Sequence, residues 1–206
     1  MQKHIPLEEG KFYHIYNRGI NGEDLFREER NYYYFLEQYA KYVAPVVDTY
    51  AYCLLRNHFH LLVKIKDFNY PNEGLAELMQ RQKWEQYPDA IKQFSHFFNS
   101  YAQSINSAYN RTGGLFESPF RRKIIEHERY FSQLVTYIHS NPQKHGFVKD
   151  FRDYPYSSFW SHLSKKETKL KRENVIEWFG NEEQYLRIHN LIDFMDSENE
   201  FVIEFD

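Results

Sequence analysis

Two apolar segments separated by only two residues place the strongest constraint on the fold. Residues 46–55 and 58–65 are rich in β-branched, aromatic and other apolar side chains, and only Arg56 and Asn57 lie between them. A connection this short joins antiparallel strands, because parallel neighbours need a crossover of about a dozen residues or more. The chain is therefore expected to contain a β-hairpin, and with it an antiparallel sheet.

The patterns on either side of the hairpin add strands and helices to this sheet. Alternating apolar residues predict a strand over residues 11–16, which ends at turn-forming residues 17–19. Apolar residues at helical spacing predict a helix over residues 28–43. After the hairpin the patterns predict two helices, over residues 74–82 and 91–109. A strand over residues 120–125 and a third helix over residues 126–139 follow.

This order of elements predicts the fold class. The succession β, α, β, β, α, β, α is typical of an α+β domain with a ferredoxin-like antiparallel sheet and helices packed on one face. After Tyr156, apolar residues such as Trp178 and Tyr185 predict a small C-terminal helical extension. We therefore expect a main domain over residues 1–159 and, over residues 160–206, a helical extension with an acidic tail.

Composition excludes several classes of protein. No segment approaches the roughly 18 consecutive apolar residues of a membrane span, and the first residues lack the apolar stretch of a secretory signal. The single cysteine, Cys53, can form neither an intramolecular disulfide nor a thiolate metal site. We expect a cytoplasmic protein with no membrane partner.

Charge is unevenly distributed along the chain. The formal net charge is −3, but residues 193–206 hold six acids and no base, so the rest of the chain carries +3. Four bases lie around the single acid Glu117 and form a candidate strip for a phosphate backbone: Arg111, Arg121, Arg122 and Lys123. An ordinary solvated face is an equally good interpretation of the strip.

Two histidines alternate at the start of the second hairpin strand. His58 and His60 flank Phe59, and alternate residues of a strand point to the same face. Two imidazoles on one face make half of a metal site, and with oxygen ligands they suit Mn²⁺, Mg²⁺ or Zn²⁺. The alternative is that both histidines only hydrogen-bond nearby polar groups.

The helix predicted after residue 126 offers further groups. Tyr137 lies at the edge of its apolar stripe, with Gln133 four residues before it and Asn141 four residues after it. A carboxamide oxygen is a suitable ligand for a divalent cation. Because Pro142 disfavours helical geometry at the preceding residue, Gln133 stays open as the alternative ligand. Without further context, Tyr137 is more simply a packing residue.

Three segments, in order along the chain, resemble a known family. The segments AYCLLRNHFHLLVKI, GGLFESPFRRK and TYIHSNPQKHG resemble the motifs of single-tyrosine HUH transposases, and in particular of the branch associated with repetitive extragenic palindromes (REP). The resemblance runs from about Tyr13 to about Phe159, and Arg56 stands where relatives usually carry proline.

The resemblance implies roles for the residues that match the motifs. Residues 1–159 would form an HUH-type nuclease domain in which His58 and His60 bind Mg²⁺ or Mn²⁺, with Asn141 at the position of the additional polar ligand. Tyr137 would be the nucleophile. An unperturbed tyrosine phenol has a pKa of about 10, so this role requires that its proton be removed or its anion stabilised.

The resemblance also implies an activity and a partner. The chain would be a transposase-like endonuclease and strand transferase that acts on single-stranded or hairpin DNA through a 5′-phosphotyrosine intermediate. Phosphodiester exchange needs no nucleotide cofactor. The four basic residues of the strip would hold the DNA. The enzyme would be a monomer or homodimer and would be associated with the nucleoid.

Three other functions stay open at this point. A domesticated, catalytically silent DNA-hairpin-binding protein would keep the DNA contacts without cleavage. An RNA-binding ferredoxin-like module would need paired surface aromatics on its central strands. A metal-dependent hydrolase that uses water would be indifferent to the substitution Tyr137→Phe.

Overall fold

The computed structural model of the chain describes residues 5–67, 79–80 and 88–191. Met79 and Gln80 are helical, and the remainder of the helix predicted over residues 74–82 lies outside the described residues. The acidic tail predicted over residues 193–206 lies outside them as well.

The described residues form a four-stranded antiparallel sheet in the spatial order β2 (Val47–Leu55), β3 (His58–Ile65), β1 (Phe12–Arg18) and β4 (Arg121–Ile125). The predicted hairpin is confirmed, with β2 and β3 joined through Arg56 and Asn57. Strand β1 is longer than predicted, because Asn17 and Arg18 pair with β3 rather than forming a turn.

Two long helices cover one face of the sheet. Helix α1 (Glu29–Tyr42) begins at a capping box formed by Glu28 and Asn31, and α2 (Ala90–Ala108) begins where the Asp89 carboxylate accepts from a backbone N–H. Their apolar stripes pack with Phe59 and its neighbours in one buried cluster. This βαββαβ arrangement confirms the α+β, ferredoxin-like prediction.

The opposite face is covered too, which differs from the expectation that helices pack on one face. Every residue of β3 from His58 to Val63 is buried, so the apolar side chains beside the histidines also need a covering layer. Leu62 and Cys53 lie in a second cluster with apolar residues of the later helices. These are α3 (Phe131–Lys144), α4 (Phe159–Leu163), α5 (Arg172–Phe179) and α6 (Glu182–Asn190).

Helix α3 begins later and ends later than the predicted range of 126–139. A 3₁₀ turn at Glu128–Tyr130 precedes it, and the helix then runs through Pro142 to Lys144. The side chains of Ser140 and Asn141 donate to the Tyr137 carbonyl at 2.9 and 2.7 Å, which holds both side chains against the helix backbone. Asn141 is therefore helical and lies one turn after Tyr137.

The C-terminal helices predicted after Tyr156 are confirmed. Val175, Phe179 and Tyr185 share the second cluster with α3, and the Lys171 N–H donates to the Thr49 carbonyl of β2 at 2.9 Å. The division at residues 159 and 160 stays a prediction. Among the described residues, no helix has the length and apolar character needed to cross a bilayer.

Candidate active site between strand β3 and helix α3

The two alternating histidines of β3 lie on the same face of the sheet, as predicted. Both are buried, and their ring centroids are 5.2 Å apart with nearly perpendicular planes. In the neighbouring strand β1, Arg18 lies opposite His58 and Tyr16 lies opposite His60. The site face is thus a patch of aromatic and cationic groups at the centre of the sheet.

Helix α3 carries Tyr137 onto this patch. The Tyr137 ring centroid lies 5.7 Å from that of His60 and 6.1 Å from that of His14, and both contacts are edge-on. Only 7% of Tyr137 is exposed. Across the ring, the Lys144 ammonium lies 5.3 Å from the Tyr137 centroid. A phenol, two imidazoles and a cation therefore converge from three separate elements.

Asn141 presents a buried oxygen in the same region. Its amide nitrogen donates to the Tyr137 carbonyl at 2.7 Å, whereas Oδ1 accepts no hydrogen bond within the described residues. A buried acceptor left in this state is costly, and a hard cation would satisfy it. Gln133, the alternative ligand, is exposed to solvent. The structure thus favours Asn141 over Gln133.

The environment of the histidines suits metal binding. Burial lowers the pKa of His58 to about 3 and the pKa of His60 well below its usual value, so both imidazoles are neutral near pH 7, as a ligand must be. The Nδ1–H of His58 donates to Asn57 Oδ1 at 2.8 Å, which leaves Nε2 as the ligand atom. His60 Nδ1 lies 3.0 Å from His14 Nε2.

The protein side chains supply only part of a coordination sphere. In the part of the chain that the structure describes, no cluster of three or more His, Cys, Asp or Glu residues is arranged to hold a metal ion. Two imidazoles and the Asn141 carboxamide remain, and they fit a cation whose other ligands are water and phosphate oxygens.

The predicted basic strip does not form one surface. Arg111 pairs with Glu23 and donates to Asn106 at 2.6 Å, near the end of α2. Its guanidinium is therefore part of a local structural contact. The DNA-binding role of Arg111 stays a prediction.

The three bases of β4 are divided between the two faces of the sheet. Arg121 lies opposite Tyr16 and Lys123 opposite His14, both on the site face. Arg122 points to the other face, where it stacks on the Phe120 ring at 4.9 Å. Of the three basic residues of β4, Arg121 and Lys123 therefore flank the candidate site.

Several residues near the site were not singled out from the sequence, and four of them have contacts that bear on the site. His14 alternates with Tyr16 in β1 just as His58 alternates with His60, but placing them together requires the pairing of β1 with β3. Lys144 lies two turns after Tyr137 and reaches it only because α3 continues past Pro142. The other two missed residues are Asn57 and His145, whose ring centroid is 4.8 Å from that of His58.

Comparisons with known proteins found a similar sequence and a similar fold. No protein-family model matches the chain. Over 113 residues, 54% of this chain, it is 31% identical to a curated protein of Haemophilus influenzae provisionally named a REP-associated tyrosine transposase. The matched part is 58% of that protein, less than two thirds of its length.

A solved structure shares the fold. The REP-associated tyrosine transposase solved in complex with a REP hairpin superposes with a TM-score of 0.58 and 15% identity, covering 80% of this chain and 86% of the other. At that identity the match establishes a common fold. The resemblance to REP-associated tyrosine transposases, inferred from three motifs, is thus confirmed in sequence and in architecture.

Proposed function

We propose, from this resemblance in sequence and fold, that the chain is a transposase-like single-strand DNA endonuclease and strand transferase whose nucleophile is Tyr137. The observation that carries the proposal is the edge-on contact of the buried Tyr137 and His60 rings, with the unsatisfied Asn141 Oδ1 one turn further along the helix that carries Tyr137. A tyrosine packed there only to fill space would not need two neutral imidazoles and an unsatisfied oxygen beside it.

His58, His60 and Asn141 would hold Mg²⁺ or Mn²⁺ in this proposal. The cation would supply Lewis-acid stabilisation of the charge that develops on the scissile phosphate, worth several kcal/mol. The Asn141 amide donates to the Tyr137 carbonyl at 2.7 Å, so the ligand and the nucleophile are held one turn apart on α3. Their relative position therefore depends on the helix rather than on a loop.

The chemical step uses the phenol of Tyr137. Its oxygen forms a bond to phosphorus while the bond from phosphorus to the 3′ oxygen breaks, which gives a 5′-phosphotyrosine. The phenol loses its proton to solvent and the departing 3′ oxygen gains one, so charge and atoms balance. Lys144, beside the ring, favours the anionic phenolate. Reversal onto a different 3′-hydroxyl transfers the strand without a nucleotide cofactor.

The substrate in this proposal is a single-stranded extension of hairpin DNA. Tyr137 is 7% exposed between α3 and the sheet, and an unpaired backbone bends into such a site more readily than a regular duplex does. Arg121 and Lys123 border the site face and would contact phosphates, which positions the DNA without reading its sequence.

The decisive experiment looks for the covalent intermediate. Hairpin DNA with a single-stranded extension and a 3′ label is incubated with the protein in Mn²⁺, and the labelled adduct is mapped by mass spectrometry. We expect an adduct on Tyr137 that EDTA prevents. The variant Tyr137→Phe should bind the hairpin and form no adduct, whereas the control Tyr130→Phe should react normally.

Two results would contradict the proposal. Cleavage by Tyr137→Phe at the wild-type rate would indicate a hydrolase that uses water. Hairpin binding by the wild type with no adduct in Mg²⁺ or Mn²⁺ would instead indicate the catalytically silent binder.

A further inference from the structure

We propose that His14 is a positioning residue that fixes the tautomer and orientation of His60, so that Nε2 of His60 faces the metal. This inference rests on the proposed function and deepens it, because it assigns a role in the metal centre to a residue outside the three matching motifs.

The contact between the two histidines is direct and buried. His14 Nε2 lies 3.0 Å from His60 Nδ1. Both residues are 0% exposed, and their rings are stacked with centroids 5.1 Å apart. Strands β1 and β3 hold them, and neighbouring pairs in this ladder include Tyr16 with His60 and His14 with Leu62. The contact is thus built by the sheet and does not depend on a loop.

The chemistry of the partners explains why His60 needs such a neighbour. His58 is fixed by the Asn57 carboxamide oxygen, which can only accept, so His58 must carry its proton on Nδ1. The partner of His60 is an imidazole nitrogen, which can either accept or donate. When His14 Nε2 accepts, His60 carries its proton on Nδ1 and keeps its Nε2 lone pair for the metal. Outer hydrogen bonds of this kind orient metal-binding histidines.

The other nitrogen of His14 argues against a role in packing alone. In the inferred tautomer His14 carries its proton on Nδ1, and that atom is buried with no hydrogen-bond partner among the described residues. An apolar side chain would fill the same space without this cost. The buried pair His139 and His189 differs, because its outer ring nitrogens are both hydrogen-bonded. His139 Nε2 bonds Ser158 at 2.7 Å, and His189 Nδ1 bonds the Tyr185 carbonyl at 2.7 Å.

Three substitutions of His14 test the role through metal affinity. The glutamine oxygen of His14→Gln reaches about as far as Nε2 and can accept from His60, whereas His14→Asn is too short and His14→Leu has no acceptor. Calorimetry on the metal-free protein without DNA should give a Mn²⁺ affinity for His14→Gln within a few-fold of the wild type. His14→Asn and His14→Leu should bind Mn²⁺ roughly 10- to 100-fold more weakly.

A matched control separates positioning from general destabilisation. His189→Leu removes a different buried contact between histidines, 2.9 Å long, in α6. It should lower the unfolding midpoint and leave the Mn²⁺ affinity unchanged. Long-range ¹H–¹⁵N spectra should show the Nδ1–H tautomer of His60 in the wild type and in His14→Gln, and a mixture of tautomers in His14→Asn.

The outcomes distinguish this inference from the proposed function. Wild-type Mn²⁺ affinity in both His14→Asn and His14→Leu would overturn the role of His14, while loss of binding in His60→Ala would keep the metal site intact as a proposal. If His14→Leu does not fold, the comparison of His14→Gln with His14→Asn decides. No Mn²⁺ binding by the wild type would overturn the metal centre, and the role of His14 with it.

Discussion

At the scale of one side chain, the two polar atoms of Asn141 suggest different roles, one in the helix and one in metal binding. Its Oδ1 is buried and accepts no hydrogen bond in the described part of the chain, while its amide nitrogen is used by α3. We predict that Asn141→Leu weakens Mn²⁺ binding by more than about tenfold. Asn141→Asp, which keeps an oxygen in place, should retain binding. Both affinities can be measured by calorimetry.

Gln133 provides the matched comparison for Asn141. It lies one turn before Tyr137, on the same helix, but it is exposed. The variant Gln133→Leu should therefore bind Mn²⁺ like the wild type. A loss of affinity in Gln133→Leu, with wild-type affinity in Asn141→Leu, would reverse the ligand assignment.

The residues of the site were predictable from sequence to different degrees. His58 and His60 follow from strand alternation, because a period of two places both on one face whatever the rest of the fold does. The proximity of Tyr137 required the resemblance, since helical periodicity alone gives its face on α3 and not what that face meets. His14 was missed because its contact depends on the register between β1 and β3, which no local pattern encodes.

At the scale of the element, the side chains of β4 alternate between the two faces of the sheet, and this decides which of its basic residues can contact DNA. Lys123 shares the site face with His14, whereas Arg122 points to the opposite face and stacks on Phe120. We predict that Lys123→Met weakens hairpin binding and reduces the slope of log affinity against log salt by about 1. Arg122→Met should leave the slope unchanged. Titrations at several salt concentrations measure both, and equal slopes for Lys123→Met and the wild type would exclude a phosphate contact there.

Helix α3 places Lys144 on the same side as Tyr137, two turns further along. Its ammonium lies 5.3 Å from the Tyr137 ring centroid, where it would stabilise negative charge on Tyr137 during the proposed reaction. We predict that Lys144→Met slows adduct formation about tenfold, equivalent to about 1.4 kcal/mol of transition-state stabilisation, with little change in hairpin affinity. Single-turnover kinetics measure the rate, and Lys149→Met, beyond the end of the helix, is the control. An unchanged rate in Lys144→Met would remove Lys144 from the mechanism.

The helices and strands themselves were largely predictable from the sequence, but the way the helices cover both faces of the sheet was not. The hairpin, α1 and α2 follow from short turns and helical spacing, and their observed ends lie within one or two residues of the predicted ends. The covering of the second face was missed because it depends on the burial of both faces of β3. The course of α3 beyond Pro142 was missed because proline disfavours helical geometry at the preceding residue, whereas Asn141 and Pro142 are both helical here.

At the scale of the whole molecule, a network of buried histidines joins the C-terminal helices to α3. His139 of α3 contacts His189 of α6 at 2.9 Å and Ser158 at 2.7 Å. His162 of α4 contacts the Tyr50 carbonyl of β2 at 2.7 Å. The extension is thus tied by polar contacts to the helix that carries Tyr137, so its loss would affect more than its own small helices.

This network makes stability sensitive to acid in a defined direction. Burial lowers the pKa of His189 to about 3 and of His162 to about 4, and it lowers the pKa of His139 well below its usual value. An unfolded histidine titrates near 6.5, so below that pH the unfolded chain binds protons that the folded chain does not. The free energy of unfolding should therefore be largest above about pH 6.5 and fall as the pH drops toward the folded values.

The variant His189→Gln isolates one member of the network. A single buried histidine of this kind should account for about 1.4 kcal/mol of the difference in unfolding free energy between about pH 7.5 and 5.5. His189→Gln should lose contacts and be less stable at both values, yet its difference between them should shrink by that amount. Urea denaturation in EDTA measures it without bound metal, and His127→Gln, whose imidazole is exposed, should leave the difference unchanged. Equal differences in His189→Gln and the wild type would mean that His189 is protonated in the folded protein and that the network tolerates charge.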